Sequence, residues 1–210
     1  MRPVTISKTL AAASANSIAA SQSGTANTAL TLTSAVVTLD TQRRVLITSA
    51  GNDSGITFAI TGTSESGNVI TEKLTGGNVA AVGSVNDYLT VTKIVPSGNT
   101  AAAVTVGTSS IGSTPWKNAS WNMAPFSLEV ETVVSGTVTY SLEYTLSKFW
   151  EPSNSPLSNG YATNVKTSAV SNATAAAANT FTFPIAGWRL TVSSGTGTVT
   201  AEAAQAGYIN

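Results

Sequence analysis

The side chains able to run a reaction are few. His and Cys are absent from the 210 residues, which excludes a Ser-His-Asp triad, a Cys-His pair and a His-ligated zinc. Carboxylate, Lys, Tyr and Ser chemistry remain. The acids cluster at Glu129, Glu131 and Glu143, and paired carboxylates flanking a sugar are the machinery of glycoside hydrolysis. Asp53-Ser54, held between Gly51 and Gly55, sets a carboxylate beside a hydroxyl. No base is present to activate Ser54, and Asp53 lacks the companion carboxylates of a cation loop. The lysines (Lys8, Lys73, Lys93, Lys117, Lys148, Lys166) lie among polar residues or at strand edges, so none has the apolar setting that makes a reactive amine. Trp116, Trp121, Trp150 and Trp188 could stack on sugars, anchor an interface or fill a core. Arg43-Arg44 reads either as a solvated strand end or as a dock for an acidic partner.

The elements that must position these residues are strands. From Ala29 onward apolar and polar residues alternate with period two. "RRVLITSA" sets Val45 and Ile47 on one face, with Leu46 and Thr48 on the other. "GITFAITGT" sets Ile56, Phe58 and Ile60 against Thr57, Ala59 and Thr61. "NVITEKLTG", "DYLTVTKIV" and "AAVTVGTS" continue the pattern, and later "TFTFPIAG", "WRLTVSSG" and "GTVTAEAAQAG" resume it. Trp188 leads such a strand and reads as core. Clusters of Gly, Asn, Asp and Ser punctuate the strands at short intervals, as in a sandwich or barrel. On this reading Gly51–Gly55 is a bend between strands, with Asn and Asp bonding their own backbone, and "SESGN" at Ser64–Asn68 is the next such turn.

The segment Phe126–Tyr144 has a register that can be worked out. A three-residue loop, Val134-Ser135-Gly136, pairs Val133 with Thr137. It puts Phe126, Leu128 and Val130 on one face with Val138, Tyr140, Leu142 and Tyr144, and Glu129, Glu131 and Glu143 on the other with Thr139 and Ser141. A one-residue slip would mix the two sets, and Gly136 falls at the left-handed position closing such a loop. The acids then lie on a solvated sheet face without a groove. The expected fold is therefore all-β: two small antiparallel β-sandwich domains (Ig-like or jelly-roll-like), at 28–112 and 126–210, joined by a linker at 113–125. An N-terminal arm covers 1–27. Within it Val4 and Ile6 alternate with Thr5 and Ser7 as a short strand, and Ala11–Ala20 suits either a weak helix or an extended segment.

Composition bounds the function. Hydrophobic residues make up 42% and charged residues only 10%, against about 25% charged in an average domain. Ten Lys and Arg balance ten Asp and Glu, so a nucleic-acid partner, which requires several cations to replace counterions, is not expected. No stretch approaches the ~20 apolar residues of a membrane span, and the polar residues scattered through the N-terminus interrupt any signal-peptide core. A near-neutral surface tolerates crowding with copies of itself. No cofactor, metal or catalytic residue is expected, and the chain is read as not an enzyme.

The stretches "TLDTQRRVLITSAGNDSGITFAITGT", "GNVITEKLTG", "VTVGTSSIGSTPW" and "VSGTVTYSLEYT" resemble a group of tailed-bacteriophage virion structural proteins over Leu39–Thr145, with a fainter echo at "GWRLTVSSGTGTVT". The resemblance implies a structural part of the virion, assembled in the host cytoplasm. The expected form is a capsid decoration or cement protein, a homo-oligomer with a trimer favoured, bound to the major capsid protein or other virion proteins. It carries no catalytic residues over. Val4, Ile6, Arg43, Arg44, Trp116 and Trp121 are the expected partner contacts. A tail, adaptor or fibre-base protein and a carbohydrate-binding adhesin module are the alternatives.

Overall fold

The computed structural model describes residues 4–9, 12–65, 67–120, 126–146 and 165–206. The chain is all-β with antiparallel, sandwich-like sheets, and the described residues contain no helix. It forms two compact units. One is contiguous, Ala12–Ser110. The other is split, combining Met1–Ala11 with Ile111–Asn210.

In the contiguous unit, β2 (Ser14–Ser23), β3 (Val37–Ser49), β4 (Thr57–Thr63), β5 (Val69–Thr75), β6 (Ala81–Pro96) and β7 (Ala103–Ser113, whose part up to Ser110 lies here) follow the order β2-β7-β3-β6-β4-β5. In β4 the alternation is strict. Phe58 and Ile60 are fully buried between half-buried threonines, each contributing about 1.5–3 kcal/mol by leaving water. The β4–β5 turn is the "SESGN" loop, where Gly67 takes φ +80° and the Ser64 N–H donates to the Asn68 carbonyl at 2.9 Å. Residues 27–33 link β2 to β6. The N–H groups of Asn27 and Leu30 donate to the carbonyls of Pro96 and Ile94, and that of Thr33 to Ile18. The Gln22 amide completes the link like a piece of strand, donating to the Thr31 carbonyl and accepting from its N–H, both at 2.8 Å. Val45, Ile47, Phe58, Ile60, Tyr88 and Val106 centre the core.

The split unit is a two-layer sandwich. One layer runs β1-β14-β9-β12: β1 (Val4–Thr9), β14 (Thr198–Ala206), β9 (Ser127–Ser135) and β12 (Ala177–Phe181). The other contains β11 (Lys166–Thr167), β10 (Val138–Thr145) and β13 (Gly187–Gly195). β8 (Lys117–Asn118) and the last residues of β7, Gly112 and Ser113, pair on β13. Leu128, Val130, Val199 and Ala201 from the first layer meet Val138, Tyr140, Leu142 and Leu190 from the second.

Two expectations change here. β9 and β10 do not pair as a hairpin with Val133 opposite Thr137. β9 pairs with β14 and β10 with β13, so Ser135–Thr137 is an arch between layers. Gly136 keeps its left-handed backbone, φ +79°. Leu128 and Val130 still share a core with Val138, Tyr140 and Leu142, because an arch turns the apolar faces toward each other where a hairpin would lay them side by side. Glu129 and Glu131 therefore belong to one sheet and Glu143 to the other. The expected arm over 1–27 is also paired. β1 lies along β14, with Val4 opposite Ala203 and Ile6 opposite Ala201, and Ser14–Ser23 is β2 on β7.

Candidate functional site

The Gly51–Gly55 bend is structural. The Asn52 side-chain oxygen accepts from the Ser54 N–H at 3.2 Å and the Ser54 hydroxyl at 2.8 Å, an Asx-type turn. Asp53 is fully buried. Its Oδ1 accepts from the Ala101 N–H at 2.7 Å, its own N–H donates to Gly77, and its carbonyl accepts from Ile56. The carboxylate thus ties the bend to the loop before β7.

The expected contact residues separate. Arg43 lies inside the contiguous unit, its side chain 2% exposed, rather than at a docking face. Its Nη2 donates to the Ser109 carbonyl at 2.6 Å and its Nη1 pairs with Asp40 at 3.1 Å. Arg44 points the other way, 35% exposed, with Nε 3.7 Å from Asp87. Trp116, in the split unit, has the Arg189 guanidinium over its ring at 4.8 Å, a cation–π contact. Arg189 also donates to Glu143 at 2.8 Å, and the Thr191 hydroxyl donates to the same carboxylate oxygen at 2.9 Å. Glu143, expected on a solvated face, is therefore held in a partly buried network. Val4 and Ile6 sit at register positions along β14; Trp121 and Trp150 lie outside the described residues. Trp188 is core, as its alternating strand implied.

Other polar groups that the alternation did not single out act as braces too. Glu72 on β5 accepts from the N–H groups of Val85 and Asn86 at 2.7 and 3.0 Å, anchoring the irregular part of β6. The Gln205 amide pairs with both backbone groups of Ser120. In the middle of the sandwich the Thr132 and Tyr140 hydroxyls touch at 2.5 Å. Thr132 also meets the Ala177 carbonyl at 2.7 Å, and Tyr140 the Ala175 carbonyl at 2.9 Å. Two hydroxyl protons serve three such contacts, so one contact is always without a proton of its own. Among the described residues no group of three or more His, Cys, Asp or Glu is placed to hold a metal.

No known protein family, curated protein or solved structure matches the chain.

A feature of a different kind opens on the lateral edge of the split unit, where β12 of one sheet and β10–β11 of the other leave a cleft of about 180 Å³. Tyr144, Phe181 and Phe183 meet edge-to-face in its wall, with ring centroids 5.3, 5.6 and 6.1 Å apart. Phe181 is buried, Tyr144 half-buried, and Phe183 44% exposed. Asn179 shares the inward face of β12 with Phe181, since it lies opposite the buried Val130. Thr167, Ser168 and Thr180 form the polar rim. In sequence Tyr144 is an ordinary residue of an alternating strand. Phe181 and Phe183 two apart in "TFTFP" were the available signal: both rings fall on one face, at the end of a strand.

Proposed function

We propose that the chain is a structural component of a tailed-bacteriophage virion, a capsid decoration protein that docks as a homo-oligomer across capsomers of the major capsid protein. The observation that carries this reading is where the polar chemistry goes. Arg43, Asp53, Glu72, Gln22 and Gln205 each bind backbone of their own unit, and the Thr132–Tyr140 pair spans the two layers of the sandwich core. These groups hold strands in place and do not converge on a reacting atom, as a catalytic constellation would. The resemblance over Leu39–Thr145 supports the same class. Low charge suits close packing with copies, and the edge strands β1 and β12 of the four-stranded layer offer backbone that a neighbour can pair with.

The test is copy number per virion, measured by quantitative mass spectrometry of purified particles against the major capsid protein. Hundreds of copies are expected of a decoration protein. Three to a few dozen would move the chain to the tail or connector, and none would remove the virion reading.

A further inference from the structure

We infer that the cleft beside Phe183 is a binding site for a neutral sugar ring at the end of a glycan. Its chemistry selects this class. Among the described residues lining it there is no Asp, Glu, Lys or Arg, and the one carboxylate bonded to its rim, Glu129, accepts from the Thr180 hydroxyl, which disfavours a charged ligand. The wall is aromatic, with Phe183 packed edge-on against Tyr144 and Phe181 and still exposing 44% of its surface. Polar groups unused by the fold face the same space. Among the described residues the Tyr144 hydroxyl and the Asn179 amide make no side-chain hydrogen bond. The Ser168 hydroxyl oxygen accepts from Val170 at 3.1 Å, which leaves its proton to give. Together they offer donors and acceptors of both kinds beside an aromatic ring. A pyranose presents the complement: an apolar C–H face bordered by hydroxyls that both donate and accept. The volume of about 180 Å³ gives room for a single sugar ring. Binding sites commonly combine apolar walls with a few placed polar groups.

This site is independent of the assembly reading, so either can fail alone. Its described aromatic wall is Tyr144, Phe181 and Phe183, not the tryptophans of the sugar-stacking alternative. The experiment is a neutral-glycan array probed with the full chain, followed by titration of the ¹⁵N-labelled chain with free galactose, glucose, mannose and N-acetylglucosamine. Saturable binding of one of these is expected, in the millimolar range usual for so small a ligand. Phe183→Ala should weaken it about tenfold or more, and Asn179→Ala by about fivefold. Phe183 is exposed enough for its loss to leave the fold intact, which a circular dichroism spectrum checks. Should Phe183→Ala prove unfolded, Tyr144→Phe, which deletes only the hydroxyl, must weaken binding severalfold. Silence of both the array and the titration overturns the inference. So does binding that survives Phe183→Ala and Asn179→Ala unchanged.

Discussion

Arg43 and Arg44 are neighbours in sequence with different settings, and replacing each by Ala should separate them. Arg43→Ala removes the 2.6 Å bond to the Ser109 carbonyl and the 3.1 Å pair with Asp40. A hydrogen bond from a charged group contributes about 1.5–3 kcal/mol. Asp40 is 33% exposed, so its pair is discounted to about 0.5 kcal/mol for solvent screening. Lost packing of the arginine stem adds about 1 kcal/mol. The sum is about 3–4.5 kcal/mol. Arg44 is 35% exposed and makes only a long 3.7 Å contact with the buried Asp87, which has other interactions, so its removal should cost about 1 kcal/mol. With a urea m-value of about 1.5 kcal/mol/M, the midpoint read by far-ultraviolet circular dichroism should fall by about 2–3 M for Arg43→Ala and by under about 1 M for Arg44→Ala. Hydrogen exchange in the β3 peptide should quicken in the first variant only. Equal, small shifts for both would refute the buried placement of Arg43 and return it to the surface as a docking residue.

Three further outcomes follow from the packing. Gly195 has φ +89°, and a Cβ there would overlap the Thr137 carbonyl oxygen, whereas Gly67, φ +80°, faces open space; Gly195→Ala should cost about 3 kcal/mol and Gly67→Ala about 1 kcal/mol in thermal unfolding. Tyr140→Phe removes one member of the buried hydroxyl pair and should destabilise by about 1–2 kcal/mol, and a double-mutant cycle with Thr132→Val should show the two residues coupled. Glu131 and Glu202 are direct cross-strand partners, so Glu202→Lys should stabilise by about 0.5 kcal/mol, a gain that disappears in 1 M salt as screening shortens to about 3 Å.

Much of the fold could be read from alternation, and the limits have a common cause. Period two decides which side of a strand meets the core. Phe58 and Ile60, Leu128 and Val130, and Tyr140 and Leu142 were all placed on the buried side, and all are buried. It does not decide which strand lies alongside. The arch at Ser135–Thr137 and a hairpin there bury the same residues, so the choice rests on β14 and β13, far away in the chain, each offering the better neighbour. Arg43 obeys the same rule despite its charge. It stands two residues before Val45, on the same face of β3, and extending the period by one step puts it inside. Glu143 was placed correctly by period within β10, but its company changed with the layer. The aromatic cleft depends on β12 and β10 meeting across layers, which no local pattern encodes.

The pairing of β1 with β14 sets an order of events during synthesis. Val4 lies opposite Ala203, so nearly the whole chain must be translated before the first strand has a partner. The contiguous unit, Ala12–Ser110, is complete long before that and can fold while the ribosome is still working. Pairings this distant in sequence are slow to form, and an unpaired strand is an invitation to mispairing. Lys8 and the hydroxyls of Thr5, Ser7 and Thr9 within β1 help keep the waiting strand in water. A nascent chain stalled before Thr198 should therefore hold a folded contiguous unit and an N-terminus open to protease, and release of the last residues should close both ends in one step.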